Sequence, residues 1–252
     1  MSKKSRKNRT SNKDNIAMFE DPRSFHNKSS AWHPLDDEID NSRDKKFVKN
    51  IKPRSEGQAK LMKAIADYSL ALAIGPAGTG KTYLAITSAV EALEKGEVER
   101  IILSRPAMEA GESLGYLPGD MQEKMAPYLR PLFDALGDRM GGKKVRQYME
   151  DGTIEIAPVG FMRGRTLNNA FVVIDEAQNC TYVQLKMLLS RLGWHSTMVV
   201  TGDPEQTDLL PELSGLDKIA RRLEALQNVA VVRLDQGDIV RHPLVAEMLD
   251  VL

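Results

Sequence analysis

The chain has 252 residues and a mass of 28.1 kDa, which fits one α/β domain better than two complete enzymatic domains. Its mean hydropathy is −0.36, and no apolar run approaches the roughly 18 residues that a membrane-spanning helix needs, so we expect no membrane partner. The single cysteine, Cys180, excludes an internal disulfide framework and multi-cysteine metal sites. The N-terminus is basic but has no apolar stretch behind it, so these features together predict a cytoplasmic protein.

Charge is distributed unevenly along the chain, although the formal net charge is zero. Residues 1–50 carry 12 Lys and Arg against 8 Asp and Glu, whereas the other 202 residues carry 23 against 27. The first 50 residues are rich in Lys, Asn, Ser and Asp and show no sustained period, which predicts a largely disordered, basic N-terminal arm. An arm that wraps a neighbouring subunit or contacts nucleic acid is the alternative.

From about residue 55, strand-like and helix-like blocks alternate. In chain order we predict a helix over 57–68, a strand over 69–74, a helix from residue 80, a strand over 100–104, a helix over 121–136, strands over 153–157 and 170–174, a helix over 181–192, a strand over 197–201, a helix over 214–226, a strand over 228–234 and a helix over 243–252. Pro127 and Pro131 should break or kink the 121–136 helix, and Ser214 should cap the helix that follows it. Near-continuous apolar strands separated by helices predict a mostly parallel sheet with helices on both faces, which makes residues 51–252 a single α/β domain.

The strongest motif is GPAGTGKT, which follows a predicted apolar strand and precedes a predicted helix. It matches the P-loop pattern, in which backbone N–H groups cradle phosphate oxygens and the helix N-terminus adds its positive dipole end. The lysine supplies a cation for the β- and γ-phosphates from what we expect to be a surface loop, and the last hydroxyl suits Mg²⁺. The predicted nucleotide-binding residues are Gly75, Pro76, Ala77, Gly78, Thr79, Gly80, Lys81 and Thr82.

Two adjacent acids, Asp175 and Glu176, follow the predicted apolar strand over 170–174. The carboxyl ends of parallel strands form the ligand-binding edge of an open α/β sheet. Neighbouring buried carboxylates repel each other unless a cation or a proton transfer uses them. Asp175 is therefore a candidate to hold Mg²⁺ through water, together with Thr82, and Glu176 is a candidate to orient and polarise an attacking water. A solvated acidic helix cap is the alternative.

Other polar residues also follow predicted strands. Gln206, in TGDPEQ, is a candidate sensor of the γ-phosphate, with an ordinary turn as the alternative. Arg105 ends a strand at the same edge, where it could hold a phosphate or form a structural ion pair. Arg163 and Arg165 precede the acidic strand and could contact RNA, contact the phosphates of a neighbouring subunit or form surface salt bridges. Cys180 has no base partner nearby in the sequence and is expected to be a packed residue.

Together, GPAGTGKT, IDEAQN and TGDPEQ resemble the ATPase core of superfamily 1 helicases. The segment SRPAMEAGESLGYLPGDMQEKMAPYLRPLFDAL over 104–136, with FMRGRTLNNAFVVIDEAQN and IVRHPLV, resembles the signature of PhoH-like proteins, the phosphate-starvation-inducible ATPases, across about residues 50–252. The resemblance implies a RecA-like fold, ATP and Mg²⁺ as cofactors, and a link to RNA. Some members carry an additional RNA-binding or nuclease domain, for which the 50-residue arm is too short.

The resemblance also implies roles for residues outside these motifs. Gln58 stands where helicase-like ATPases have a glutamine that reads the adenine edge, with an exposed helix glutamine as the alternative. Superfamily 1 helicases bind ATP between two RecA-like domains, and this chain has a single P-loop. We therefore expect a neighbouring subunit to complete the site in a homo-oligomeric ring, a hexamer by analogy with other RecA-like rings. Arg241 is the first candidate to reach across the interface, and Arg163 or Arg165 is the second.

These features predict an ATPase that couples hydrolysis to the binding or remodelling of RNA or other single-stranded nucleic acid. Its catalytic residues would be Lys81, Glu176, Gln206 and Arg241. A P-loop kinase is less compatible, because a water-activating glutamate next to the Mg²⁺ aspartate favours hydrolysis. An unfoldase with a helical lid needs more than the 46 residues that follow Gln206. A nucleotide-gated interaction module with slow turnover is the non-enzymatic alternative.

Overall fold

The computed structural model of the chain describes residues 51–106, 121–210, 213–240 and 248, and the side chains in these ranges apart from those of 121–128. The predicted arm over 1–50 lies outside the described residues, as does almost all of the predicted helix over 243–252. None of the described helices is both long enough and apolar enough to span a membrane.

Helices and strands alternate along the described chain. The helices are α1 (Glu56–Asp67), α2 (Lys81–Glu94), α3 (Met121–Met140), α4 (Gly142–Glu150), α5 (Tyr182–Leu189) and α6 (Leu216–Leu223), and the strands are β1 (Leu70–Ile74), β2 (Arg100–Ser104), β3 (Ile154–Ile156), β4 (Ala170–Ile174), β5 (Thr197–Gly202) and β6 (Ala230–Arg233). Short 3₁₀ turns cover Val159–Met162, Ala177–Asn179 and Gln236–Asp238.

The six strands form one sheet in the order β3-β2-β4-β5-β1-β6, and every described pairing is parallel. The connections run through helices or long segments, as parallel neighbours require. Because all the strands point the same way, their carboxyl ends lie along one edge of the sheet. That edge carries the P-loop after β1, the acids after β4 and the polar loop after β5, so the predicted α/β architecture is confirmed.

Both faces of the sheet are covered, because alternate residues of each strand point to opposite sides. On one face, Ala71, Ile101 and Val173 pack in a core with residues of α1, α2, α3 and α4. On the other face, Leu72 and Ile102 pack with residues of α5 and α6. All five strand residues are buried, and burying each larger side chain contributes roughly 1.5–3 kcal/mol.

Several local predictions are wrong: no helix was predicted where α4 lies, and α6 ends at Leu223 rather than at residue 226. Helix α3 is not broken at Pro127 or Pro131, because its later residues, such as Leu132 and Leu136, are buried in the core and offset the lost backbone hydrogen bonds. Ser214 does not cap α6, whose N-cap is Gly215; the Ser214 hydroxyl donates instead to the carbonyl oxygen of Gln178 at 2.9 Å. Helix α5 ends at Leu189, three residues before the predicted end.

Candidate active site

The P-loop joins the end of β1 to the start of α2, and later parts of the chain contact and support it. Gly75 has φ +149°, and a Cβ atom at this position would lie 2.3 Å from the carbonyl oxygen of Leu234. The Gly75 amide donates to the carbonyl oxygen of Gly202 at 3.2 Å, and the Val240 amide donates to that of Gly78 at 3.0 Å. A glycine is therefore required at position 75 for two reasons, the backbone conformation and the lack of space.

The N-terminus of α2 faces the same loop. Its N-cap, Gly80, has φ +83° and ψ +14°, a left-handed conformation that glycine adopts without strain. The described structure gives this end no side-chain cap. Backbone N–H groups at an uncapped helix start, together with the helix dipole, favour an anionic ligand.

Lys81 lies inside the loop rather than on its surface, which corrects the expected surface-loop position. It is the first residue of α2, and it is only 8% exposed. Its ammonium group donates to the carbonyl oxygens of Gly75 at 2.6 Å and Pro76 at 2.7 Å. Burial lowers the pKa of Lys81, and the nearby carboxylates of Asp203, Glu176 and Asp175 act in the opposite direction. The lysine is thus held ready in the phosphate cradle by backbone oxygens.

Thr82 and Asp175 meet at the centre of the site, as expected for a pair that would share a metal ion. The Thr82 hydroxyl donates to Asp175 Oδ1 at 2.6 Å, and the Thr201 hydroxyl donates to the same oxygen at 2.6 Å. Asp175 is 3% exposed, so its carboxylate is fixed by β4 and β5 together. Hydroxyl and carboxylate oxygens are the hard ligands that Mg²⁺ prefers, so the donor set fits this ion.

Glu176 is held from two sides. Arg105 Nη2 lies 3.1 Å from Glu176 Oε1, and Gln178 Nε2 donates to Glu176 Oε2 at 2.6 Å. The Glu176 backbone has φ +52° and ψ +42°, a left-handed conformation that is uncommon for a residue with a side chain. Such strain persists only where the surrounding structure enforces it, and it concentrates at functional sites.

Gln178 is a site residue that the sequence analysis missed. It is 2% exposed, its amide oxygen accepts from the Asp203 amide at 3.1 Å, and its Nε2 also lies 3.3 Å from the carbonyl oxygen of Gln206. It therefore joins Glu176 to the loop that follows β5. The signal was present in the motif IDEAQN, where a glutamine two residues after a candidate base can reach back to it.

One cavity of about 450 Å³ gathers these groups. Gln206 lies at its rim with an exposed side chain, so this residue is close to where a phosphate would lie. The cavity is lined by residues of the P-loop, α2, α3 and the segments that follow β2, β4 and β5, among them Lys81, Thr82, Arg105, Asp134, Asp138, Asp175, Glu176, Asp203 and Gln206.

Gln58 supports the P-loop from α1. It is 5% exposed, which excludes the alternative of an exposed helix glutamine. Its Nε2 donates to the carbonyl oxygen of Thr79 at 3.0 Å, and its Oε1 accepts from the Arg54 amide at 2.9 Å. A second cavity, of about 580 Å³, lies next to it and is lined by residues 51–54, Tyr83 and Val240 among others. The adenine-reading role of Gln58 stays a prediction.

The other candidate residues lie apart from this cavity or outside the described chain. Arg165 forms a two-pronged ion pair with Glu155, at 2.5 Å and 2.7 Å, as the salt-bridge alternative proposed. Arg163 is exposed; its amide donates to the carbonyl oxygen of Gly160 at 3.4 Å, but its side chain has no hydrogen bond or ion pair with the described residues. Cys180 is fully buried, and burial raises the pKa of its thiol to about 12, which fits a packed residue. Arg241 lies outside the described residues.

A parallel sheet with a P-loop after β1 and two acids at the end of β4, with only β5 between these strands, defines the P-loop NTPase class of domain. A family model described as "PhoH-like protein" matches residues 50–252. The chain therefore belongs to the PhoH-like family, which confirms the resemblance read from the sequence.

Curated relatives agree with this assignment, and a solved structure shares the fold. The chain is 52% identical to a "PhoH-like protein" of Bacillus subtilis over 203 residues, which cover 80% of this chain and 64% of the relative. It is 45% identical to "Protein PhoH" of Escherichia coli over 206 residues, which cover 81% and 58%. The chain thus spans about three-fifths of the length of these curated relatives. The large terminase of a thermophilic bacteriophage shares the fold, with a TM-score of 0.51 and 12% identity over 79% of this chain and 50% of that one.

Proposed function

We propose that this domain binds and hydrolyses ATP in a Mg²⁺-dependent reaction. The observation that carries the proposal is the convergence of Lys81, the Thr82–Asp175 pair and Glu176 on one cavity at the carboxyl edge of the sheet. This set provides a cation for phosphate oxygens, hard oxygen ligands for a metal and a carboxylate that can accept a proton from water.

Each side chain has a separate task in this proposal. Lys81 exchanges the carbonyl oxygens of Gly75 and Pro76 for phosphate oxygens when a nucleotide binds. Thr82 and Asp175 would hold Mg²⁺, which supplies charge neutralisation of the phosphates. Glu176 orients the attacking water and accepts its proton, while Gln178 keeps the Glu176 carboxylate in place.

The geometry of the two cavities supports two finer assignments, one in each cavity. Gln206 at the rim would contact the γ-phosphate through its exposed amide. The base of the nucleotide would occupy the cavity beside Gln58 and Tyr83, where Gln58 still has one N–H and one lone pair unused by its two backbone partners.

Phosphate release to water, measured with Mg²⁺ and ATP, tests this function. A P-loop kinase predicts transfer to an added acceptor alcohol instead of release, and a nucleotide-gated module predicts tight binding with turnover too slow to follow. Chelation of the metal should stop the reaction, and turnover should return when Mg²⁺ is added back.

We also propose that single-stranded nucleic acid, RNA by family resemblance, binds to one face of the domain. Residues 156–174 and 177–202 contain no Asp or Glu, although residues 51–252 as a whole have 27 acids against 23 Lys and Arg. These two segments carry four cations, Arg163, Arg165, Lys186 and Arg191. The lack of acids removes local repulsion of a phosphate backbone.

The two segments lie together in space. Arg191 Nη1 donates to the carbonyl oxygen of Arg165 at 3.0 Å, and the Trp194 amide donates to Asn168 Oδ1 at 2.9 Å. We call the surface of residues 158–169 and 181–196 the acid-free surface. It exposes 64% of Phe161 and 81% of Trp194, and exposed rings beside cations form stacking platforms for unpaired bases.

Binding of labelled single-stranded RNA, single-stranded DNA and duplex RNA at several salt concentrations tests this surface. Preference for the single strands, with an affinity that falls as salt rises, supports base stacking combined with phosphate contacts. Equal affinity for duplex would argue against stacking on Phe161.

We propose further that a second subunit completes the ATP site within a ring, by analogy with superfamily 1 helicases, in which ATP lies between two RecA-like domains. Arg241 is the first candidate to act across the interface, and Arg163 is preferred to Arg165 as the second, because Glu155 already holds Arg165. An arginine that reaches the phosphates from a neighbouring subunit typically increases the rate of hydrolysis by about 10³–10⁵-fold.

Mixing two inactive variants tests the shared site. Arg241→Ala subunits and Lys81→Ala subunits should each be nearly inactive alone. In mixed rings some interfaces pair an intact P-loop with an intact arginine, so partial turnover should return. A stable monomer with full turnover, or confirmed mixed assemblies with no recovered activity, would contradict the shared site.

A further inference from the structure

Arg105 is placed by the sheet at the level of the two acids. It is the residue after β2, and β2 pairs with β4 so that Ser104 lies opposite Ile174. The Asp175 amide donates to the carbonyl oxygen of Ser104 at 2.9 Å, which extends the pairing one step further. The position of Arg105 beside Asp175 and Glu176 therefore follows from strand register rather than from a flexible loop.

The Arg105 guanidinium reaches both acids from this position. Nη2 lies 3.1 Å from Glu176 Oε1, and Nη1 lies 3.8 Å from Asp175 Oδ2. Its side chain is 18% exposed, and Arg105 lines the same cavity as Lys81 and Thr82. The cation is therefore attached to the candidate catalytic base and at the same time faces the space in which the phosphates would lie.

The charges of the other cavity residues give a cation at this position a clear use. Five acids line the cavity, Asp134, Asp138, Asp175, Glu176 and Asp203, whereas Lys81 and Arg105 are the two Lys or Arg side chains among the described lining residues. Lys81 lies at the carbonyl oxygens of the loop, on the β1 side. Arg105 lies on the β2 side, and β4 and β5 separate β2 from β1 in the sheet, so the two cations approach a phosphate chain from different directions.

We propose that Arg105 distinguishes nucleoside triphosphate from diphosphate by exchanging partners. Without a terminal phosphate it pairs with Glu176, and with one it turns to the γ-phosphate oxygens. The exchange leaves Glu176 held by Gln178 alone, with Oε1 available to the attacking water. The proposal rests on the proposed ATPase function and adds to it a residue that links recognition of the third phosphate to release of the base.

The energetic basis is the similarity of the two partners. A guanidinium makes comparable charge-assisted hydrogen bonds to carboxylate and to phosphate. The pair gained with the phosphate offsets the pair lost with Glu176, and the larger negative charge of the γ-phosphate makes the exchange favourable when the third phosphate is present. Each such bond is worth on the order of a 10- to 100-fold change in affinity.

Binding of Mg²⁺ complexes of ADP and of a non-hydrolysable ATP analogue, measured by calorimetry, tests the exchange. Arg105→Gln should weaken binding of the triphosphate analogue about 10-fold or more and leave ADP binding within about 2-fold. Arg105→Lys should recover part of the difference because it keeps the charge. Arg100→Gln is the matched control. Arg100 lies at the other end of β2, where its guanidinium donates to the carbonyl oxygen of Asn168, so this variant should change the affinity for neither nucleotide.

A second variant keeps the test decisive if Arg105→Gln does not fold. Glu176→Ala removes the carboxylate that competes with the phosphate for Arg105, so triphosphate binding should tighten several-fold relative to ADP binding, and the double variant with Arg105→Gln should lose that selective gain. Equal effects of Arg105→Gln on both nucleotides, or an equal gain for both in Glu176→Ala, would overturn the proposal. Wild-type protein that binds neither nucleotide would instead overturn the ATPase function itself.

Discussion

The nucleotide cavity and the acid-free surface differ in how they balance charge. The described cavity lining has five acids and two cations, whereas the acid-free surface exposes Arg163 and Lys186 with no acid in the same segments. A polyphosphate in the cavity would therefore require a metal ion as an additional counter-charge, and its binding would depend on a few fixed atoms. A polyanion on the acid-free surface needs no metal, and its binding is spread over several contacts that salt screens.

The largest effect is expected for Lys81→Ala. The phosphates lose their P-loop cation, so ATP turnover should fall below detection, while the apolar cores that hold the sheet are untouched. Lys95→Ala, at the far end of α2 in an exposed pair with Glu91, is the control and should keep wild-type turnover. Phosphate release and thermal unfolding should be measured on both variants. A folded Lys81→Ala protein with normal turnover would remove the P-loop assignment.

Glu176→Gln should lower kcat by about 10²–10⁴ and leave Mg²⁺–ATP binding in place, because the amide keeps the shape but cannot accept a proton. Asp175→Asn should instead weaken Mg²⁺ binding and so raise the Mg²⁺ concentration needed for half-maximal turnover. Stopped-flow binding and steady-state hydrolysis over a Mg²⁺ series separate the two. A parallel loss of binding and rate in Glu176→Gln would make this residue a metal ligand or a structural group.

Phe161→Ala should weaken binding of single-stranded RNA by about 5- to 150-fold, the equivalent of one stacked base at roughly 1–3 kcal/mol. ATP turnover without RNA should not change, because Phe161 does not line the nucleotide cavity. Leu226→Ala removes a comparably exposed apolar side chain from another part of the domain and serves as the control. Fluorescence anisotropy with a short labelled RNA measures the difference, and equal affinities of the two variants would place the stacking elsewhere.

The smallest effect is expected for Arg163→Ala. Loss of one phosphate contact should reduce the slope of log affinity against log salt by about 0.7–0.9 and weaken RNA binding only a few-fold at physiological salt. Arg165→Ala should change the slope less, because Glu155 already neutralises Arg165. Deletion of residues 1–13, which carry six cations, should flatten the slope further if the arm also contacts RNA. An unchanged slope in Arg163→Ala would show that its charge faces no phosphate.

The sequence was sufficient to predict what depends on apolar periodicity and on contiguous motifs. Strands such as Ala170–Ile174 are short apolar runs with no competing pattern, and the P-loop is a local signal whose parts lie within eight residues. The prediction failed where tertiary packing outweighs a local preference, as at Pro131 in α3, and where a hydroxyl finds a distant partner, as with Ser214 and Gln178.

The site was predicted less completely, because its geometry depends on strand order. Nothing local to Arg105 says that its neighbour is Glu176, 71 positions later in the chain; only the β2–β4 pairing brings them together. Gln58 likewise became a support of the P-loop through a contact with Thr79 that spans 21 positions. The motif residues that meet in the cavity could thus be predicted, but not the side chains that hold them in place.

The P-loop is supported by residues that are synthesised much later than the loop itself. Gly75 is seated against Gly202 and Leu234, and Gly78 accepts from the amide of Val240, 162 positions further along the chain. A nascent chain that has passed the GPAGTGKT segment therefore has the motif but lacks the backing that shapes it. The contacts of the P-loop with Gly202, Leu234 and Val240 can therefore form only after β5, β6 and the turn that follows them have left the ribosome.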